Sequence, residues 1–164
     1  KVLPGGESPD RDTQFCHMGT LIDEYLNAGL PVLSMDTKKK EFLGNLYRNG
    51  RVYSNQSFKA FDHDFPSWAD GVIVPHGLYD VGRNEGWLHL GLSRDTSEFA
   101  CDSLRLWLQD AWHLYPSMDE FLLVCDGGGS NGSRTYIFKQ DLQDLVNEMG
   151  ICIRVAHYPP RAIA

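Results

Sequence analysis

No run of about 18 consecutive apolar residues occurs in this 164-residue chain, so no segment has the composition of a membrane-spanning helix. The opening Lys-Val-Leu-Pro-Gly-Gly lacks the charged-then-apolar layout of a signal peptide, which points to a cytoplasmic protein. There is no initiator Met and the first residues are polar and rich in Gly and Pro, so a piece of a longer polypeptide is expected. Cysteine is scarce: Cys16, Cys101, Cys125 and Cys152 are widely spaced, form no C-x-x-C pair and lie mostly among apolar neighbours. Buried, reduced thiols are expected rather than a disulfide framework. The six histidines include no H-x-x-x-H or H-E-x-x-H arrangement, which removes zinc sites of the sequence-local kind. Any metal here should be hard and oxygen-bound. Basic charge is also short, with 15 Lys and Arg against 22 Asp and Glu and a net charge of −7. That balance works against a stand-alone nucleic-acid binder, which needs clustered cations for phosphate. It is compatible with one whose excess acids hold metal and whose gripping module lies elsewhere. The one dense basic run, Lys38-Lys39-Lys40, follows Asp36 immediately; lysines on a strand edge also block unwanted pairing.

The apolar fraction of 42% suits one compact domain with a single core. From Asp10 to Ala28 the residues Phe15, Met18, Leu21, Ile22, Tyr25 and Leu26 recur at helical spacing, and Gly29 with Pro31 ends the pattern. Val32 to Met35 is a short apolar strand ending at Asp36, and Lys38 to Leu43 fits its continuation toward an edge. Residues 44 to 68 carry Asn49-Gly50 and little periodicity, which predicts an irregular loop with room for a hairpin. Gly71 to Tyr79 and Trp87 to Leu92 read as an antiparallel hairpin about the turn-rich 80–86. Ser97 and Glu98 start a helix whose face of Leu104, Trp107, Leu108, Ala111 and Trp112 is core in character, and Pro116 stops it. Phe121 to Cys125 is short and wholly apolar, a strand buried on both faces that ends at Asp126. Gly127 to Gly132 follow, then a helix to Met149 with Ile137, Leu142, Leu145, Val146 and Met149 inward, a Gly150 cap, and a last strand from Ile151 to Tyr158. This order predicts an α/β fold with a mixed five-stranded sheet: a three-strand antiparallel meander, then two strands reached through helices, with helices on both faces.

In such sheets the ends of buried strands collect ligands and reactive groups. Asp36 and Asp126 stand at two such ends. A carboxylate removed from water needs hydrogen bonds or a cation, and two brought together repel unless a divalent ion holds both ionised. Mg²⁺ or Mn²⁺ fits oxygen ligands, and a pair of such ions suits in-line displacement at phosphorus. Asp36 is the candidate bridging ligand and Asp126 a ligand to one ion.

Val-Leu-Ser-Met-Asp-Thr-Lys-Lys-Lys-Glu-Phe-Leu-Gly-Asn at 32–45, Gly-Leu-Tyr-Asp-Val at 77–81, Asp-Thr-Ser-Glu-Phe-Ala at 95–100 and Cys-Asp-Gly-Gly-Gly-Ser-Asn-Gly at 125–132 together resemble bacterial insertion-sequence DDE transposases. The resemblance covers the chain from about Asp10 onward. It implies an RNase H-like catalytic core over 31–164, with residues 1–30 as a leading segment and amphipathic helix packed on it. It also implies two Mg²⁺ or Mn²⁺ ions in the complete enzyme, hydrolysis of double-stranded DNA at transposon ends, and attack of the freed 3′-hydroxyl on target DNA. Asp36 and Asp126 match the first two acids of the triad. The third, a Glu on a helix after the last strand, has no counterpart, because the final acidic residue is Glu148. The resemblance thus implies a core incomplete at its C-terminal end and inactive alone, a separate N-terminal DNA-binding domain, and a homo-oligomer when whole. Lys38, Lys40, Asn131 and Arg161 are the expected DNA contacts, with no membrane association.

Other uses of these residues fare less well. Gly127 to Gly132 satisfies G-x-G-x-x-G after a strand, a dinucleotide-binding pattern, but Asp126 stands where the pyrophosphate would approach and no acid follows the next strand to hold a ribose. Ser133 and Arg134 replace the Lys and Ser/Thr of a P-loop, and Lys38 stands where an Asp-nucleophile phosphatase has its second acid. A degenerate RNase H-like domain kept for DNA or subunit contacts is the non-enzymatic alternative. Asp62, His63 and Asp64 read as a polar loop, Asp80 and Asp95 as turn residues, and His157 as an exposed residue near the last strand's end.

Overall fold

The computed structural model describes residues 10–51, 53–61, 66–92, 96–126 and 136–158. The chain runs α1 (Arg11–Asn27), β1 (Val32–Thr37), β2 (Glu41–Leu43), β3 (Gly71–Asp80), β4 (Glu85–Gly91), α2 (Ser97–Ala111), β5 (Glu120–Cys125), α3 (Tyr136–Met149) and β6 (Cys152–His157). Short 3-10 turns occupy Pro66–Trp68 and Trp112–Leu114. β3 lies antiparallel between β1 and β4, while β1, β5 and β6 run parallel, giving the spatial order β4-β3-β1-β5-β6, and β2, antiparallel to the first residues of β3, is a sixth strand where five were expected. This is the expected meander followed by two strands reached through helices.

The expected first strand appears as two segments. Thr37 pairs with His76 and Glu41 with Ile73, so four steps on one strand match three on β3. The extra residue falls within Lys38–Lys40, the count a β-bulge produces, and the Lys38 N–H still donates to the Pro75 carbonyl at 3.0 Å. Among the described residues of 44–68 the chain is irregular as expected apart from the 3-10 turn; the one bridge there, Leu46 to Phe61, is parallel, so no hairpin forms among them.

Strand alternation divides the apolar side chains between two faces. Leu33 and Met35 of β1 and Phe121, Leu123 and Cys125 of β5 join Leu104, Trp107 and Leu108 of α2 and Phe138, Leu142 and Leu145 of α3 in the main core. Val32, Leu122 and Val124 face the other way, onto Met18 and Tyr25 of α1. Helices therefore cover both faces. α2 begins at Ser97 as expected, capped by Thr96, whose Oγ1 accepts the Phe99 N–H at 3.2 Å. Of the two tryptophans expected on the core face of α2, Trp107 is fully buried against the rings of Trp87, Tyr115 and Phe121, whereas Trp112 falls past the helix end in the 3-10 turn and is 42% exposed. α3 presents Phe138, Leu142 and Leu145 inward, while Ile137, expected inside, is 65% exposed. Positions i, i+4 and i+7 share one face, and Ile137 falls off it.

The cysteines also depart from expectation. Cys101 and Cys125 are buried, but Cys16 on α1 and Cys152 at the start of the edge strand β6 are exposed, and none of the four is in a disulfide. Burial pushes the Cys101 thiol up to about 12, with nearby Asp141 adding to the shift, so it holds little reactive thiolate at neutral pH. With an aromatic disulfide reagent in native buffer, two thiols should react quickly and two only after unfolding. Four fast thiols would contradict this core.

Candidate metal centre

Met35 of β1 lies beside Cys125 of β5 in parallel register. The next residue on each chain is Asp36 and Asp126. Adjacent strands are about 4.8 Å apart, so the two backbones hold these aspartates as neighbours. Alternation carries them onto the face of Val32, Leu122 and Val124, the α1 side, away from α2 and α3. Both residues are exposed. This corrects the sequence-based expectation that burial at the strand ends compels a counter-charge. Solvent reaches both carboxylates, and what marks them is their position side by side at the carboxyl ends of two parallel strands.

Gly77 of β3 is the partner directly across from Asp36. Directly paired residues in antiparallel strands share a face, so the place beside Asp36 on that side carries no side chain. A Cβ at Gly77 would meet little but the Asp36 carbonyl, at 3.7 Å. Among the described residues, the glycine therefore leaves the β3 flank of the acids without a side chain. Gly77 stands within one of the segments that carry the family resemblance, but its relation to Asp36 follows only from the strand register. On the other flank, the Tyr158 N–H donates to the Cys125 carbonyl at 2.9 Å, and the Tyr158 ring contacts Phe15 of α1 at 6.4 Å between centroids. His157, expected to be exposed, is half-buried and pairs with Cys125 in the β5–β6 ladder.

Lys38 and Lys40 lie just past Asp36 in the break between β1 and β2, both exposed, and Lys38 Nζ is 3.4 Å from Glu41. Asn131, Arg161, the 127–132 glycine segment, Asp62, His63, Asp64 and Asp95 lie outside the described residues. Among the described residues no group of three or more His, Cys, Asp or Glu side chains converges to hold a metal ion. Glu148 does not complete the pair: it sits on α3 and binds Arg105 of α2, with Nη2 to Oε2 at 2.9 Å. Two oxygen-donor side chains on an open face fit a hard cation such as Mg²⁺ or Mn²⁺, which keeps several waters, better than they fit zinc.

Asp80, read as a turn residue, has a second role. It ends β3 fully buried, accepts the Arg83 N–H at 3.1 Å across the β3–β4 turn and accepts the Tyr115 hydroxyl at 2.6 Å. Burial, then the Asp80 hydrogen bond, raises the Tyr115 pKa. The pair fastens the β3–β4 turn to the segment after α2. Asp80 pairs with Leu33, near the start of β1 and remote from Asp36.

The strand order, the helices on both faces and the two strand-end acids define an RNase H-like α/β domain. The chain belongs to the family of the Rhodopirellula transposase DDE domain, whose model matches residues 1–163. Comparison with curated proteins gave no match. Among solved structures, the catalytic domain of Mos1 mariner transposase matches with a TM-score of 0.53 and 10% identity, covering 99% of this chain and 67% of that one. The Mos1 mariner paired end complex with Mn matches with a TM-score of 0.51 and 13% identity, covering 98% and 47%. At these identities the likeness concerns the fold. The chain spans 44% and 47% of the first two transposase chains it matches. Family membership sets aside the dinucleotide reading of residues 127–132. Among the described residues no helix is long and apolar enough to cross a membrane.

Proposed function

We propose that this domain is the catalytic core of a DNA transposase, which hydrolyses phosphodiesters at transposon ends and transfers the freed 3′-hydroxyl into target DNA. The observation that carries the reading is the register of Met35 with Cys125, which sets Asp36 and Asp126 side by side on the open face. Asp36 and Asp126 would each present carboxylate oxygens to Mg²⁺ or Mn²⁺. When bound, such ions activate the attacking oxygen and stabilise the leaving one. The chain's own part is to fix the two carboxylates on rigid neighbouring strands and to keep their β3 flank clear through Gly77. The third acid is proposed to come from beyond Ala164, so residues 1–164 alone should bind metal weakly and cut DNA poorly. Lys38, Lys40, Asn131 and Arg161 are proposed to contact DNA phosphates. A preceding DNA-binding domain, a homo-oligomer and a cytoplasmic location follow from the same reading.

A degenerate core is the second reading, favoured by the engagement of Glu148 with Arg105 rather than with the two aspartates. Manganese titration followed by electron paramagnetic resonance separates the two. The wild-type chain should bind Mn²⁺, and Asp36→Asn and Asp126→Asn should each weaken binding at least about tenfold, the least that loss of a residue merely supporting a metal ligand produces. Equal affinity in all three proteins would favour the degenerate core.

A further inference from the structure

Charge is distributed very unevenly along the chain. Residues 38–61 contain six Lys or Arg and one acid, Glu41, a net of +5, so the remainder carries −12 of the total of −7. This basic stretch holds the β1–β2 break, β2 and the first part of the connection to β3, and it begins two residues after Asp36. Its ends are fixed. Leu46 is buried and bridges Phe61, the Tyr47 N–H donates to the Phe61 carbonyl at 2.7 Å, and Asn45 Nδ2 donates to the Lys59 carbonyl at 2.8 Å. The Phe61 ring meets Trp68 edge-on at 4.8 Å between centroids. The described residues between these anchors follow the surface between closely spaced ends, as in a loop of the Ω kind.

This loop carries large aromatic side chains outward. Tyr53 is 95% exposed and Phe58 76%, interleaved with exposed Arg48, Arg51 and Lys59. Rings left in water are unfavourable unless a partner covers them. A partner for this surface must bring negative charge together with flat apolar faces. Duplex DNA offers phosphates but hides its base faces in the stack. A single strand offers both, and alternating cations and aromatic rings are the pattern that holds one.

We propose that the 47–60 loop is a binding surface for unpaired DNA, with Tyr53 and Phe58 stacking on bases and Arg48, Arg51 and Lys59 on the phosphates. The inference rests on the transposase reading for the identity of the nucleic acid, and it adds a place for a strand whose pairing is opened beside the acids.

Fluorescence anisotropy of a labelled oligothymidylate and of a blunt duplex, both in EDTA, tests it. The wild-type chain should favour the single strand. Tyr53→Ala with Phe58→Ala should weaken single-strand binding about tenfold or more, since each stacked base contributes substantially, and leave duplex binding nearly unchanged. Arg51→Glu with Lys59→Glu should weaken both and flatten the salt dependence, whereas Lys139→Glu on α3 should change little. The altered side chains are exposed, so thermal melting should stay at the wild-type value. Wild-type affinity in the loop variants overturns the proposal, as does an equal loss from Lys139→Glu. So does a change in sedimentation of the Tyr53/Phe58 variant with unaltered oligonucleotide binding, which would mark the loop as a contact between copies of the chain. Because EDTA removes divalent ions, failure of the metal reading leaves this result standing, and failure here leaves manganese binding intact.

Discussion

In the complete protein that the proposed transposase function implies, Asp36→Ala should lower Mg²⁺-dependent nicking of DNA bearing the transposon end by about 10²- to 10³-fold or more. A bound divalent ion contributes several kcal/mol of charge stabilisation at a phosphoryl oxygen, and each ~1.4 kcal/mol is tenfold in rate. Asp36 is exposed, so its removal takes no packing from the core. It also relieves repulsion from Asp126 in the metal-free protein. The expected pattern is therefore loss of cleavage at unchanged or slightly raised thermal stability. Asp126→Ala should behave the same way, and the double variant should cost little more than either alone, because both side chains serve one site. Gel-based nicking with melting curves on the same preparations reads both quantities. Retained cleavage in Asp36→Ala would rule out its role.

The largest effect on stability should come from Trp107→Ala. Its side chain is fully buried where α2 meets the sheet, in ring contact with Trp87 of β4, Phe121 of β5 and Tyr115. Truncating a core tryptophan costs about 3–5 kcal/mol, a large share of the ~5–15 kcal/mol that holds a domain folded. Urea denaturation should place the midpoint about 1–5 M lower, given slopes of about 1–3 kcal/mol/M. Trp107→Phe should cost much less, because the indole Nε1 is buried without a hydrogen-bond partner among the described residues. Phenylalanine removes that unmet donor, whose burial costs about 1–3 kcal/mol. Similar losses for Ala and Phe would mean that the indole N–H has a partner.

Periodicity located the helices and strands because each buries one face. The Leu104–Trp107–Leu108 stripe, the alternation of Val32 to Met35 and the apolar run at Phe121 to Cys125 all appear where burial required them. Sheet order was legible because a meander followed by helical crossovers leaves few ways to assemble one sheet. The failures share a cause. Ile137 and Cys152 are apolar or weakly polar residues whose exposure depends on where neighbouring elements lie, and composition carries no such information. Asp80 looked like a turn residue because its partner, Tyr115, is 35 positions away. Gly77 acquires meaning only when register sets it across from Asp36.

For the candidate site, the two acids were legible as strand ends, but for a partly mistaken reason. Burial was expected to demand a cation, whereas both carboxylates are exposed and what distinguishes them is their adjacency. The basic loop was only partly visible. Lys38 to Lys40 stands out as a run, while Arg48, Arg51 and Lys59 are dispersed, and an overall charge of −7 conceals them.

The most direct measurement is anomalous diffraction from crystals of this chain soaked in Mn²⁺. The expected result is a manganese peak shared by the carboxylates of Asp36 and Asp126, beside Gly77 on the α1-facing side of the sheet. A peak elsewhere, or the two carboxylates on opposite faces and too far apart to share an ion, would contradict it.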